Sequence, residues 1–426
     1  MSDLFPNNWQ VSNLNDLGQS YSGLKSKSKK DFEENGNASF VTYRNINRNY
    51  FVDKLDLAPV HVQSTENQNV VKKGDVLFTG SSETPDEVAI SSVMAIEIDN
   101  LYLNSFCFGY RFNDVSTTLP DFYAYYFRGD NFRKTVLPLA QGSTRYNISK
   151  NELLKVEVPI PSKTEQIKIA AILSSVDEAI EKTEQIIEQT ETVKKGLLKQ
   201  LLTKGLNHKK FKDSPIGSIP NEWSTTQLKN ISFKITDGTH KTPKYTESGI
   251  PFLRVTDLKN QKIDFKNTKY ISEEEHKELT KRCYPEKGDI LLSKNGTIGL
   301  TKVIDWDQEF SIFVSLALIK LKQDIVLPKF IEYFLQSEVV WQQLRRRSKQ
   351  GTVTNLHLVE IKELICGVPS IDEQEKIINK VNSIERKIEN EKDKLIKLKD
   401  LKKGLMQQLL TGKVRVPFDE KEEVPS

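Results

Sequence analysis

One long segment of this chain occurs twice. Residues 141–205 and 350–413 resemble each other over their whole length, and from Asn147 onward they align without a gap at an offset of 208. Pro161 matches Pro369, Glu165–Gln166 match Glu373–Gln374, and Lys194-Lys195-Gly196-Leu197 matches Lys402-Lys403-Gly404-Leu405. Leu201-Leu202-Thr203 matches Leu409-Leu410-Thr411. Upstream of each copy only landmarks agree. Asn8-Trp9 resembles Glu222-Trp223, Lys73-Gly74-Asp75-Val76-Leu77 resembles Lys287-Gly288-Asp289-Ile290-Leu291, and Leu119-Pro120-Asp121-Phe122 resembles Leu327-Pro328-Lys329-Phe330. A repeat of this period means one architecture used twice. The division is a first domain at residues 1–161, a first arm at 162–206, a second domain at 207–369, a second arm at 370–413 and a tail at 414–426.

After Pro161 and Pro369 the apolar spacing becomes that of a helix. Ser162 and Ser370 are placed to cap the new N-termini, with Glu165 and Glu373 as capping-box partners. Each arm then runs about 40 residues without proline, a rod of about 60 Å. The first apolar seam is Ile169, Leu173, Val176, Ile180, Ile187, Leu197 and Leu201, interrupted by Thr183, Thr190 and Lys194. The second is Ile377, Val381, Ile384, Ile388, Leu395, Leu398, Leu405 and Leu409, interrupted by Glu391 and Lys402. So narrow a seam on so long a rod is a coiled-coil pattern. The other faces are crowded with Lys and Glu, so an arm alone in water is marginal. The simplest partner of each arm is the other. Both touch the domain between them, which predicts an antiparallel pair with the two domains at opposite ends and a rough two-fold.

The domains read as mixed α/β, giving an α+β protein. Predicted strands are Ser39–Tyr43, Asp75–Thr79, Ile250–Arg254, Asp289–Ser293 and Leu316–Leu321; predicted helices are Asp121–Arg128 and Lys329–Gln343. Function tends to sit on the polar loops between such elements. In the second domain the loop Thr236–Pro243 brings Thr239, His240 and Lys241, and the loop Ser293–Gly299 brings Lys294, Asn295 and Thr297. The matching place in the first domain holds Thr79 and Ser81. Just before each arm lies a loop that occurs in both halves: Gln141–Asn147, with Ser143, Arg145 and Tyr146, and Gln350–Asn355, with Gln350, Thr352 and Thr354. Backbone N–H groups and hydroxyls there suit phosphates, while Arg145 and Gln350 have the reach to touch bases. A hinge role accounts for these last loops equally well. Arg44, Asn45 and Arg254, at the ends of predicted strands, complete the set of candidate DNA contacts.

Composition excludes several alternatives. The net charge of +4 is only a weak sign of a polyanionic partner, and local clusters such as Lys25, Lys27, Lys29 and Lys30 say more. Cys107, Cys283 and Cys366 stand alone, which argues against a disulfide framework or a structural zinc site. The opening MSDLFPNNW has no secretory pattern, and no apolar run of about 18 residues occurs, so a cytoplasmic protein is expected. There is no HExxH, no GxxxxGK[ST] and no [DN]-P-P-[FYW] segment, and the histidines are scattered. Catalysis is therefore not expected of this chain, nor any metal.

Two unlike domains, each followed by a repeated coiled-coil arm, resemble the DNA-specificity subunits of type I restriction–modification systems. The most telling parts are the P-x-x-x-E-Q entries to the arms (Pro161–Gln166, Pro369–Gln374) and the K-K-G-L exits that lead to Leu-Leu-Thr. The linker Phe211–Trp223 and the segments Thr236–Pro243 and Ile250–Val255 add to the likeness. The first domain, with Ser39–Arg44 in that place, departs from the pattern. The resemblance implies that each domain is a target-recognition domain reading one half of a bipartite double-stranded DNA site. It further implies that the arms set the unread gap, on the order of 5–8 base pairs, and dock two methyltransferase subunits. Motor–endonuclease subunits would join them. S-adenosylmethionine, ATP and magnesium would sit on those partners, with no cofactor in this chain. A scaffold joining protein partners, or a fused nuclease or methyltransferase, are the rival classes.

Overall fold

The computed structural model describes residues 5–32, 35–259, 262–347 and 355–417. The chain forms two compact units, one from residues up to Glu184 together with those from Asp393 onward, the other from Gln185–Lys392. The cut passes through both arms rather than between arms and domains. Each arm is a single helix, Lys163–Lys204 and Ile371–Leu409.

The first unit is built on a four-stranded antiparallel sheet in the order Gly18–Ser22, Cys107–Phe112, Val76–Thr79, Ser91–Val93. A three-stranded sheet follows the order Leu57–Val60, Ala38–Val41, Leu101–Leu103, with the last pair parallel. Gln10–Asn13 pairs antiparallel with Glu157–Ile160, at the foot of the first arm. The second unit repeats this plan. Its four strands run in the order Ser232–Asp237, Leu316–Leu321, Ile290–Ser293, Thr301–Val303. Its three are Lys269–Ile271, Ile250–Leu253 and Ser311–Ile312, again with one parallel pair. Ser224–Gln227 pairs with Ile365–Val368 below the second arm. The stretch that diverges in sequence keeps one topology.

The shared landmarks are the joints of this plan. Asp75 is fully buried; it accepts from the Lys72 amide (2.8 Å), the Tyr21 hydroxyl (2.6 Å) and both arms of the Arg111 fork (2.6 Å). Asp289 does the same for the Glu286 amide (2.8 Å) and Lys320 (2.5 Å). Each carboxylate closes the turn into a central strand and ties it to a cation on the neighbouring strand, which explains the Lys-Gly-Asp motif. Leu119-Pro120 and Leu327-Pro328 start helices at Pro120–Tyr126 and Pro328–Gln336, proline taking the first turn where no N–H is needed. The predicted helix Lys329–Gln343 breaks at Ser337, whose side chain bonds the Phe334 carbonyl (2.6 Å), and resumes as Glu338–Arg347.

Ser162 and Ser370 cap the arms: the Glu165 and Glu373 amides donate to their hydroxyls at 3.3 Å. The two glutamates do not form the expected capping box. Glu165 accepts from Trp9 Nε1 (3.1 Å) and Arg415 (2.7 Å), and Glu373 from Trp223 Nε1 (3.0 Å) and the Leu206 amide (2.8 Å). Buried indole donors outcompete the helix's own exposed amide for these carboxylates. The adjacent glutamines are completely buried. Gln166 accepts from the Leu119 amide (2.7 Å) and donates to the Thr117 and Pro161 carbonyls (2.8 Å each). Gln374 makes the same three bonds to Leu327 (2.8 Å), Ile325 (3.1 Å) and Pro369 (3.0 Å).

The two arms pair antiparallel within each unit. In the first, Asp177 meets Lys402 (2.5 Å) and Glu184 meets Lys399 (2.8 Å). In the second, Lys194 meets Glu385 (2.6 Å) and Glu191 meets Lys392 (2.8 Å). Among the seam residues Ile169, Leu173, Val176, Ile187, Leu201, Ile377, Val381, Ile388 and Leu409 are buried, and Ile180, Leu197, Ile384, Leu395 and Leu405 half-buried. Each core takes its domain, the start of one arm and the end of the other. Ile169, Leu173, Leu409 and Leu410 join the aromatic core around Phe122, Tyr123 and Phe127. Leu201, Leu202, Ile377 and Val381 join the core around Trp223, Phe330 and Phe334. Burying such side chains contributes roughly 1.5–3 kcal/mol each. The Leu-Leu of each Leu-Leu-Thr exit is thus a core element.

A tyrosine from each domain bonds the arm carboxylate that pairs with the lysine. Tyr125 donates to Asp177 (3.0 Å), and the Tyr333 hydroxyl lies 2.7 Å from both Glu385 and Asn382. Burial pushes the Glu385 carboxyl up, but the hydrogen bonds from Lys194 and Tyr333 more than offset it and hold it below its usual 4.5. Its ionised form therefore stabilises the fold above about pH 4.5, and that contribution is lost as pH falls through the lowered value. Tyr333→Phe is expected to cost about 1–2 kcal/mol, lowering the melting temperature by roughly 2–4 °C per kcal/mol. Glu385→Gln should melt lower at neutral pH and lose less further stability than the parent below pH 4.5. Equal acid sensitivity in parent and variant would contradict the role given to this carboxylate.

Candidate nucleic-acid interface

The loops singled out by sequence come together in pairs. In the first unit Tyr146–Asn147 pairs antiparallel with Ser81–Ser82. In the second, Asn295 bridges to Asn355 in the same antiparallel sense. The loop before each arm is therefore docked on the loop that follows a central strand. Gln350, Thr352 and Thr354 lie outside the described residues.

In the first unit this junction edges an open groove of about 440 Å³. Lys25, Arg145 and Lys150 line it with Ser81, Phe106 and Asn147, and no Asp or Glu does. Arg145 is exposed, its guanidinium 4.6 Å above the Phe106 ring. Lys150 donates to the Ser22 hydroxyl (2.6 Å), and burial, then the neighbouring Lys25, holds its ammonium below the ordinary lysine range. Cys107 lies beneath, its thiol pushed up to about 12 by burial and so unreactive. Ser143 is exposed on the same loop as Arg145, and Tyr146 is half-buried against the core.

The second unit solves the same place differently. Asp237, at the end of its strand, is buried and surrounded by Arg282 (3.0 Å), Lys294 (3.3 Å) and His240 (3.3 Å). Burial raises its carboxyl, but the bonds from Arg282 and Lys294 win and leave it below its usual value. Thr239, in the turn that follows, accepts from the Lys241 amide (3.2 Å), and Arg282 also bonds the Gly238 carbonyl. His240, Lys241 and Thr297 are exposed; Thr239 and Asn295 are half-buried. Lys294 is buried and spent on Asp237.

Other expected contacts face inward. Asn45 is fully buried: its amide donates to the Asp53 (2.8 Å) and Asp56 (2.9 Å) carbonyls and accepts from the Asp53 amide (3.0 Å). Thr79 is fully buried and donates to the Glu87 carbonyl (2.6 Å). Both hold loops in shape, and a buried polar group so used is not free for a ligand. Arg44 is exposed but paired with Asp56, and Arg254 is half-buried beside Asp257 (3.6 Å). Sequence reasoning missed Phe106 and Arg282. The signal for Phe106 was an aromatic in the turn Asn104-Ser105-Phe106, where a polar residue is usual.

The type I restriction modification DNA specificity domain matches residues 6–192 and again 220–400. The chain belongs to this family. The MjaVIII type I restriction enzyme specificity subunit of Methanocaldococcus jannaschii is 26% identical over 425 residues, 96% of this chain and 94% of that protein. The EcoBI specificity subunit of Escherichia coli is 26% identical over 294 residues, 63% of this chain and 60% of that protein. Among solved structures, one from work on assembly and conformational transition of the type I R-M system aligns with a TM-score of 0.63 at 16% identity. It covers 96% of this chain and 99% of its own. The S subunit of M. genitalium aligns at 0.51 and 18% identity, covering 94% of this chain and 96% of its own. Both share its fold. As a specificity subunit the chain is the recognition part of its system, not a catalytic one, which sets aside the fused-enzyme class. No helix among the described residues is long and apolar enough to cross a membrane.

A cationic groove without carboxylates suits a phosphate backbone. Lys25→Ala is expected to make the slope of log affinity against log salt shallower by about 0.9, read by DNA anisotropy titrations at several salt concentrations. An unchanged slope would place the phosphates elsewhere.

Proposed function

We propose that this specificity subunit reads a bipartite double-stranded DNA site, with the first unit's groove on one half and the second unit's Asp237-centred loops on the other. The observation that carries the reading is one sheet topology built twice with unlike chemistry at the same place: Lys25, Arg145 and Phe106 in one, Asp237, Lys294 and Arg282 in the other. A scaffold for protein partners has no need of such a difference on identical frames. The paired arms set the unread gap, on the order of 5–8 base pairs. They also dock two methyltransferase subunits, with motor–endonuclease subunits joining for restriction. Leu197 and Leu405, seam residues of the arms, pack against their own cores. Among the exposed apolar residues of the arms, Val193 and Leu401 are equivalent in the repeat, 59% and 50% exposed, and these are the better docking candidates. The partners flip and methylate adenines with S-adenosylmethionine and use ATP and magnesium, in the cytoplasm. This chain supplies recognition and holds no cofactor.

Replacing residues 207–369 by the corresponding domain of another family member tests this. Methylation sequencing of the host genome is expected to show one half of the modified motif changed and the other half and gap retained. A change in both halves, or in neither, would contradict it.

A further inference from the structure

Resting on that reading, we propose that Arg145, set over the Phe106 ring, reads a guanine edge in the half-site taken by the first unit, while Lys25 and Lys150 hold the phosphates beside it. Most arginines in this unit are already committed. Arg111 is bound to Asp75, Arg415 to Glu165, and Arg128 to the Ser91 (2.6 Å), Ile46 (2.5 Å), Asn47 (3.0 Å) and Asn49 (2.9 Å) carbonyls. Among the described residues the Arg145 guanidinium has no ion pair and no hydrogen bond, and its partner is the Phe106 ring at 4.6 Å.

Both members are held by backbone rather than by each other. The loop is closed by a reciprocal pair, the Gln141 amide to the Asn147 carbonyl (2.9 Å) and the Asn147 amide to the Gln141 carbonyl (2.8 Å). Gly142 makes the turn possible. Its φ is +131°, and a Cβ there would collide with the Arg145 carbonyl. Phe106 is fixed by its amide on the Asn104 side chain (2.9 Å) and its carbonyl on the Gly80 amide (2.9 Å), yet the residue stays 52% exposed. A guanidinium stacked on a ring keeps its N–H edge free in a defined plane. That is the geometry for two parallel bonds to guanine O6 and N7.

The rival target is a phosphate, which an arginine fork also fits. Two features of the groove favour the base. Lys25 and Lys150 already supply point charges for the backbone. A half-exposed phenyl ring adds nothing to phosphate binding, but offers apolar contact to a base face or a thymine methyl. The ring half of the device is missing among the described residues of the second unit. The residue before its equivalent strand is Ser315, which is buried.

The test uses the full complex with its methyltransferase partner. The variants are Arg145→Ala, Arg145→Lys, Phe106→Ala and Phe106→Leu, read by genome-wide methylation sequencing and by DNA titration over a range of salt. With Arg145→Ala, one position in the first half-site should change from guanine to mixed bases, with discrimination falling roughly 5- to 150-fold. The second half-site should be untouched. Lysine should not restore the guanine, and Phe106→Ala should relax the same position more than Phe106→Leu. The proposal is overturned by an unchanged motif in Arg145→Ala. It is overturned equally by uniform loss at every site with a salt slope lowered by about 1 and rescue by lysine, which marks a phosphate contact. Either result leaves the one-unit, one-half-site reading standing. Relaxation in the half-site assigned to the second unit by domain exchange would instead break that reading.

Discussion

Everything in each unit is referred to the foot of one arm, and there the decisive contact is a buried glutamine. Gln166 and Gln374 each satisfy one amide and two carbonyls that would otherwise be stranded where a sheet, a domain helix and an arm meet. A stranded buried polar group costs about 1–3 kcal/mol. No apolar residue can stand in, and a shorter amide does not reach all three. The neighbouring Glu165 and Glu373 add an indole each. The reader can vary over most of its surface while the angle at which it leaves its arm is held by the same few side chains.

The arms are polar rods with a thin seam, so their pairing needs more than apolar burial. The carboxylates of Asp177 and Glu385 serve two masters, a lysine on the facing arm and a tyrosine from the domain. Lys402 is also set against the Tyr50 ring at 3.6 Å. Such partly buried networks define register as much as they add stability. The device joins domain and arm pair within each unit, so a reader is built with half of each helix rather than hung on a finished strut.

The arms were readable from the sequence because helical periodicity is a local property, and the single-chain antiparallel pairing followed from connectivity. The landmarks were visible too, but not their meaning. Trp9 and Glu165 meet across a long stretch of chain, and nothing in a capping-box pattern says that an indole will take the glutamate. The strands near Asp75 and Asp289 were placed to within a residue, whereas Tyr43–Arg48 formed a helix where a strand was expected to end, capped by Thr42. The candidate site was less readable. Asn45, Thr79 and Lys294 have the chemistry of DNA contacts, yet their partners are internal loops and a buried aspartate. Polar residue type does not tell which side of a loop a side chain faces. Phe106 was missed for the converse reason: its apolar type carries no sign of a ligand contact, although the residue is 52% exposed.

Each reader is locked to its arms by its own glutamine junction, and hydrogen–deuterium exchange on Gln166→Ala tests this most directly. Exchange should quicken across Pro120–Tyr126 and Glu157–Ile160, the elements Gln166 joins, while Pro328–Gln336 and Ile365–Val368 around the intact Gln374 stay as in the parent. Unchanged exchange beside the substituted junction, or equal acceleration around both junctions, would contradict the lock.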